Sequence, residues 1–167
     1  MIPADTVILD TIHGSRLYGL AHADSDHDIF RVVYIRRKAL VRCRDGLDYR
    51  EFGFDKFLEY VYNGSHQSCE ALFSPVAVLD DRFAPMLRGM RVGGTEAHSA
   101  YRRAIKAFAH GDLKKRRHAV RLGLNLASIR ATGRFNPRLS EAEIHTVRCM
   151  ADRYEGDELF DAAVALN

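Results

Sequence analysis

The stretch GSRLYGLAHADSDHD, residues 14–28, has a glycine-serine pair followed, ten residues on, by three aspartates, Asp24, Asp26 and Asp28. Like charges this close repel, so they need a compensating positive charge or full exposure to water. If Asp26 and Asp28 begin a β-strand, they lie two residues apart and their side chains point to the same face. Paired carboxylates suit hard divalent cations such as Mg²⁺. The stretch therefore predicts a metal-binding acidic pair, although Asp24-Ser25-Asp26 alone is also ordinary turn chemistry.

Two further features form a phosphate-handling pattern with this pair. Gly14-Ser15, in a tight turn before a helix, would present backbone N–H groups and a hydroxyl to a phosphate. Asp48 opens the next predicted strand and can supply a third carboxylate. Two ions held by such carboxylates can clamp the attacking and leaving oxygens of a phosphoryl transfer. Each feature is weak alone, but the ordered set indicates metal-assisted phosphoryl transfer.

The chain around these motifs first alternates strand and helix patterns and then becomes mostly helical. β-rich residues predict strands over 28–35 and 47–52, with a turn at Gly46, and the apolar run 6–9 suits a strand or the end of a short helix. Apolar residues at helical spacing predict helices over residues 55–62, 96–110, 113–132 and 140–153. We therefore expect an α/β (α+β) fold, in which a small mixed sheet with flanking helices is followed by a helical C-terminal half.

Length and composition limit the class of protein. At 167 residues, with 47% hydrophobic and 28% charged residues, the chain suits one compact domain, with a core over 1–90 and a helical region over 91–167 packed on it. No apolar run approaches the about 20 residues of a membrane span, and MIPADTVILD lacks the pattern of a signal peptide. Cytoplasmic residence and no membrane partner are therefore expected. The three cysteines form no CxxC pair, which argues against a disulfide framework or a cysteine zinc site.

The net charge of +3 conceals a basic middle. Residues 96–138 hold eleven Lys and Arg against two acids, whereas residues 139–167 hold two Arg against seven acids. A basic segment suggests a polyanionic partner or a phosphate-bearing ligand, and a solvated helix face is the alternative. Four basic residues on the helix predicted over 113–132 are spaced to share one face: Lys114, Arg117, His118 and Arg121.

The ordered set of Gly-Ser, about ten residues, Asp-x-Asp and a later strand acid resembles the DNA polymerase β-like nucleotidyltransferase superfamily. The segment HGSRLYGLAHADSDHDIFRVV is similar to the YcgL-type predicted nucleotidyltransferases of bacteria and phages, a group that includes RNA-ligase-associated repair polymerases. Two later segments resemble the same group, DYREFGFDKFLEYVYNGSHQSCEALFSP and KKRRHAVRLGLNLASIRATGRFNPRLSEAE. The resemblance covers roughly residues 12–143 and implies that residues 1–90 form the nucleotidyltransferase catalytic core.

The resemblance also implies roles for the motif residues. Gly14 and Ser15 would bind the triphosphate, and Arg16 would lie near the nucleotide. The acids that would hold two Mg²⁺ or Mn²⁺ ions and act in catalysis are Asp26, Asp28 and Asp48. Asp48 would also be the general base for the incoming hydroxyl. It is preferred over Glu51, which points to the opposite face of a regular strand, and over Asp55, which suits the first turn of a helix.

In related folds a basic residue on a helix opposite the metals contacts the β- or γ-phosphate. The resemblance therefore implies triphosphate or acceptor binding for Lys114, His118 and Arg121. The alternative is a structural His–Arg pair that braces the helices. Tyr18 suits either a position beside the nucleotide or the core.

The reaction implied is attack of an acceptor hydroxyl on the α-phosphate of a nucleoside triphosphate, with release of pyrophosphate. The acceptor stays open among an RNA 3′ end, a protein hydroxyl and a small molecule. Two other classes also stay open. One is an antitoxin-like minimal nucleotidyltransferase that binds or AMPylates a partner protein. The other is a non-catalytic nucleotide-binding module, which the complete set of three acids argues against.

Overall fold

The computed structural model describes residues 2–3, 6–21, 23, 25–34, 40–44 and 47–166, and of residues 40–44, 47 and 48 it describes the backbone alone. The predicted positions Asp24, Ile35 and Gly46 lie outside the described residues. Within these ranges the strands are β1 (Val7–His13), β2 (His27–Val33), β3 (Leu40–Arg44), β4 (Leu47–Gly53) and β5 (Val78–Leu79). The helices are α1 (Gly14–Tyr18), α2 (Phe54–Tyr62), α3 (His66–Phe73), α4 (Ala84–Gly89), α5 (Gly94–Ala109), α6 (Leu113–Thr132), α7 (Glu141–Arg153) and α8 (Gly156–Val164).

The described strands form one mixed sheet in the order β3-β4-β2-β1-β5. β2 and β4 run parallel, whereas β1 is antiparallel to β2 and β5, and β3 is antiparallel to β4. The parallel pair brings the start of β2 beside the start of β4, although β3 separates them in the chain. The predicted α/β fold with a mixed sheet and a helical C-terminal half is confirmed.

Most predicted elements form, with small shifts of their ends. The apolar run 6–9 enters β1, so the alternative of a short first helix is wrong. The strands predicted over 28–35 and 47–52 are β2 and β4, and the predicted helix over 55–62 is α2. The three later helices are α5, α6 and α7, whose ends lie within two residues of the predicted ones.

Local capping explains where the long helices begin and end. The Asp112 carboxylate accepts a hydrogen bond from the Lys115 backbone N–H at 2.9 Å, which satisfies a free donor in the first turn of α6. Gly133 ends α6 in the left-handed region, at φ 73°. Ser140 and Glu143 form a reciprocal capping box at the start of α7. Of the helices in the described ranges, none is long and apolar enough to cross a membrane.

One face of the sheet supplies core side chains and ends in polar ones. Phe30 and Val32 of β2 are fully buried on this face. His13 is paired with Asp28, two residues before Phe30, so both belong to the same face at its end. On the other side of the core α6 packs against α5, α7 and α8. The hydrophobic core therefore runs from the sheet into the helices and leaves a polar end on the sheet.

Candidate active site

A cavity of about 650 Å³ lies between the polar end of the sheet and the N-terminal half of α6, a volume typical of a small-molecule site. Its lining includes an acidic side, defined here as Gly14, Ser15, Asp26 and Asp28. It also includes a basic side, defined here as Arg50, Lys114, Arg117 and Arg148. The structure thus brings the predicted glycine turn, two predicted metal ligands and a set of cations into one space.

The glycine turn and the acidic pair are in direct contact. Gly14 has φ 68°, in the left-handed region that L side chains rarely adopt. A Cβ built on Gly14 would lie 2.0 Å from Oδ2 of Asp28, closer than any nonbonded contact allows. The antiparallel pairing of His13 with Asp28 sets this approach. The backbone angle therefore favours glycine at this position, and a larger residue would have to displace the Asp28 carboxylate.

The third predicted acid is next to Asp28 in the sheet. The parallel register of β2 and β4 pairs Asp28 with Asp48, so their Cα atoms are neighbours across the two strands. Glu51 pairs with Arg31 in the same register, three residues further along β4, and so belongs to the other face. Among the described side chains, which exclude that of Asp48, no three His, Cys, Asp or Glu residues come together as a metal-binding group. Asp26 and Asp28 offer two hard oxygen donors to a divalent cation.

A buried ion pair forms part of the cavity wall, since Arg121 is among the lining residues. Glu70 of α3 is fully buried, and the Arg121 side chain of α6 is only 1% exposed. Arg121 Nη1 donates a hydrogen bond to Glu70 Oε1 at 2.5 Å. Tyr18 Oη donates to Glu70 Oε2 at 2.5 Å, and the Arg121 guanidinium lies 3.7 Å from the centre of the Tyr18 ring. His13 Nε2 is 3.2 Å from the same Glu70 oxygen. The pair therefore connects α3 and α6 to β1 and α1.

These contacts keep both partners charged inside the protein. Burial alone would raise the pKa of Glu70, but the Arg121 charge and the nearby His13 hold that pKa well below its usual range. Burial likewise opposes the charge of Arg121, yet the Glu70 carboxylate raises the pKa of the guanidinium above its usual value. Arg121 thus has the burial and the partner that the bracing alternative requires, while Tyr18 lies in the core with its ring under Arg121.

Lys114 and His118, the other two residues of α6 that were predicted to bind phosphate, differ in charge. Lys114 is exposed and lines the cavity, as a phosphate-binding cation must. His118 also lines the cavity, but burial, together with the Arg121 charge, lowers the pKa of His118 to about 4. Its imidazole is therefore neutral at pH 7. A neutral ring can accept or donate a hydrogen bond but brings no charge to a phosphate.

Arg16 contacts the loop that precedes Asp26. Among the described residues, those that line the cavity do not include Arg16. Its Nη2 donates to the Ser25 carbonyl oxygen at 2.9 Å, so it fixes the loop that leads into Asp26. This contact places Arg16 beside the cavity, which Ser25 lines, and a position of Arg16 near the nucleotide stays a prediction.

For several residues of the site no role was predicted from the sequence. Glu70, Arg50, Arg148 and Phe108 belong to three helices and a strand that come together only in the fold. The one local signal was for Glu70, because a carboxylate inside the apolar run CEALF predicts either an exposed helix face or a buried charge with a partner. The sequence cannot name that partner, since Arg121 lies 51 residues away.

Comparison with known protein families gives a match over most of the chain. A protein-family model described as RlaP, the RNA repair pathway DNA polymerase beta family, matches residues 4–159 of the chain. The match includes β1 to β5, the glycine turn, all three predicted acids and α6. No curated protein matches the chain.

Removing Arg121 should destabilise the fold because Glu70 would remain buried without its cation. We expect Arg121→Met to lower the free energy of unfolding by about 3–5 kcal/mol in urea titrations. Adding Glu70→Gln to this variant should restore part of the loss, because the unpaired charge is removed. Arg117→Met on the same helix is the control, since Arg117 is one-third exposed and its loss should cost about 1 kcal/mol or less. An Arg121→Met protein as stable as the wild type would refute the bracing role.

Acid should destabilise the protein through His118. Its folded pKa of about 4 lies below the ordinary value near 6.5, so the unfolded state binds the proton more readily. The stability is fully present above pH ~6.5 and is lost as the pH falls toward 4. By pH 5 the loss should reach about 2 kcal/mol. We expect His118→Gln to lose less stability between pH 7 and pH 5 than the wild type does in urea titrations. The exposed His145→Gln is the control, and an identical pH dependence in His118→Gln would contradict the assignment.

Proposed function

This chain belongs to the RNA repair pathway DNA polymerase beta family, and on that premise we propose that it is a metal-dependent nucleotidyltransferase that extends or caps an RNA 3′ end. An acceptor hydroxyl attacks the α-phosphorus of a nucleoside triphosphate. The new bond joins the acceptor oxygen to this phosphorus, the bond to the β-phosphate oxygen breaks, and pyrophosphate leaves. The family supports nucleotidyl transfer in RNA repair, and the remaining detail rests on the residues of the cavity.

The observation that carries the proposal is the contact between the glycine turn and the acidic pair in a cavity that cationic side chains also line. Asp28 lies against Gly14, and Ser15 and Asp26 line the same space. A triphosphate bound along Gly14-Ser15 would therefore have its reacting end beside the carboxylates. This closeness is what transfer at the α-phosphate requires, because positioning supplies much of the rate in phosphoryl transfer.

The acidic and basic sides of the cavity have different roles in the proposed reaction. Asp26, Asp28 and Asp48 would hold two divalent cations, Mg²⁺ or Mn²⁺, which would supply positive charge to the phosphates. The Asp48 carboxylate also accepts the proton of the attacking hydroxyl. The Lys114 ammonium group binds the β- or γ-phosphate and stabilises the leaving pyrophosphate. Arg121 acts indirectly, since its buried pair with Glu70 fixes α6 relative to Tyr18 of α1.

Loss of one metal ligand should abolish transfer and leave the fold intact. The assay incubates the protein with each labelled nucleoside triphosphate, Mg²⁺ and short RNAs with a free 3′ hydroxyl, and follows label on the RNA. We expect Asp28→Asn and Asp26→Asn to reduce transfer to background. Their thermal stability without metal should hold or rise, because removal of one carboxylate relieves repulsion within the pair.

Asp81→Asn provides the matched control. Asp81 is exposed in the turn before α4, and the same change of charge there should leave transfer at the wild-type rate. Wild-type transfer in Asp28→Asn would refute the assignment of this carboxylate. A wild-type protein that labels none of the RNAs with any triphosphate would refute the proposed reaction.

A further inference from the structure

Three aromatic rings line one part of the cavity. His66 begins α3, Phe108 lies near the end of α5, and His118 lies in α6. The Phe108 ring centre is 6.0 Å from that of His66 and 5.6 Å from that of His118. All three side chains are half-buried, so each has a surface that faces the cavity as well as a surface that packs on the protein. We call these three residues the aromatic wall.

The aromatic wall is uncharged at neutral pH although cations surround it. Burial lowers the pKa of His66 as well as that of His118, and the nearby positive charge of Arg121 acts in the same direction on both rings. Leu20 and Leu113 add apolar surface to the lining of the same cavity. A ligand group placed against this wall gains apolar contact and ring stacking, and gains no ion pair from it.

The tautomer of His118 follows from its partner. Arg121 Nη2 lies 3.3 Å from His118 Nδ1, and a guanidinium can only donate. Nδ1 of the neutral imidazole must therefore accept this bond, and the ring proton is on Nε2. His118 thus adds a single N–H donor to a wall that is otherwise suited to flat, uncharged rings.

We propose that the aromatic wall of His66, Phe108 and His118 is a nucleobase subsite, on which a base stacks while its phosphates extend toward Gly14-Ser15 and Lys114. This inference rests on the proposed function of the same cavity, because that function brings a nucleoside triphosphate and an RNA end into it. The chemistry fits a base better than a phosphate, since bases have an apolar face that stacks on aromatic rings and an edge that accepts an N–H. The glycine turn on the acidic side and the cations on the basic side already offer contacts to phosphates.

A nucleobase reaches the cavity from two sources, the triphosphate and the 3′-terminal nucleotide of the acceptor. Binding without turnover separates them. Calorimetry with Mg²⁺ would compare three ligands on the wild-type protein: ATP, ribose 5-triphosphate without a base, and inorganic tripolyphosphate. A second comparison would use a short single-stranded RNA with an intact 3′ nucleotide and the same RNA with an abasic 3′ residue.

We expect the base to strengthen binding from at least one source by about tenfold or more, in line with the measured value of base–aromatic stacking. Phe108→Leu keeps an apolar side chain but removes the ring, so it should abolish most of that advantage and leave tripolyphosphate affinity unchanged. Phe160→Leu is the control, because the Phe160 ring of α8 packs against Arg102 and Lys106 of α5 and is not among the described residues that line the cavity.

The possible results either assign the subsite to one of the two sources or overturn the proposal. A base-dependent gain for ATP that Phe108→Leu removes assigns the subsite to the incoming nucleotide, and the same result for the RNA assigns it to the acceptor. Equal binding of ligands with and without a base from both sources overturns the proposal, and this comparison needs no variant. A Phe108→Leu protein that loses tripolyphosphate affinity equally also overturns it, because the ring would then only support the fold. Base-dependent binding without label transfer would instead refute the proposed reaction and leave the subsite standing.

Discussion

The buried ion pair between Glu70 and Arg121 is the interaction on which the arrangement of the site depends. Each charge would be costly alone in the core, but Arg121 donates to Glu70, and the Tyr18 hydroxyl donates to the same carboxylate. These residues come from α1, α3 and α6. Because separation of the two buried charges would be costly, the ion pair also fixes these helices relative to one another. Because Tyr18 ends the short helix that begins at Gly14, the ion pair sets the position of the glycine turn relative to α6.

A second constraint acts at the sheet. The pairing of His13 with Asp28 packs the Asp28 carboxylate directly on Gly14, and the parallel register adds Asp48 as the next neighbour. Backbone pairing in the sheet thus brings the positions of these acids together. The cavity that results combines three chemical surfaces: carboxylates with a glycine turn, cations, and a neutral aromatic wall.

Local patterns were sufficient to predict much of this fold. The strand start at Asp26 to Asp28 and the helices α5, α6 and α7 follow from alternation, apolar periodicity and caps that involve neighbouring residues. The two-residue β5 is too short for any periodic pattern, and the eight-residue α3 has no side-chain cap to mark it. The neutral state of His118 could not be predicted from local patterns for a different reason. Its neutral state arises from burial beside Arg121, and Arg121 itself is buried because of Glu70, which is distant in the chain.

The most direct test of the account is a crystal structure of the protein with Mn²⁺ and a non-hydrolysable nucleoside triphosphate, measured at the manganese absorption edge. The account predicts anomalous peaks at coordinating distance from the carboxylates of Asp26 and Asp28, and a triphosphate that lies along Gly14-Ser15 with Lys114 on its outer phosphates. Manganese bound elsewhere, or a nucleotide held outside this cavity, would contradict it.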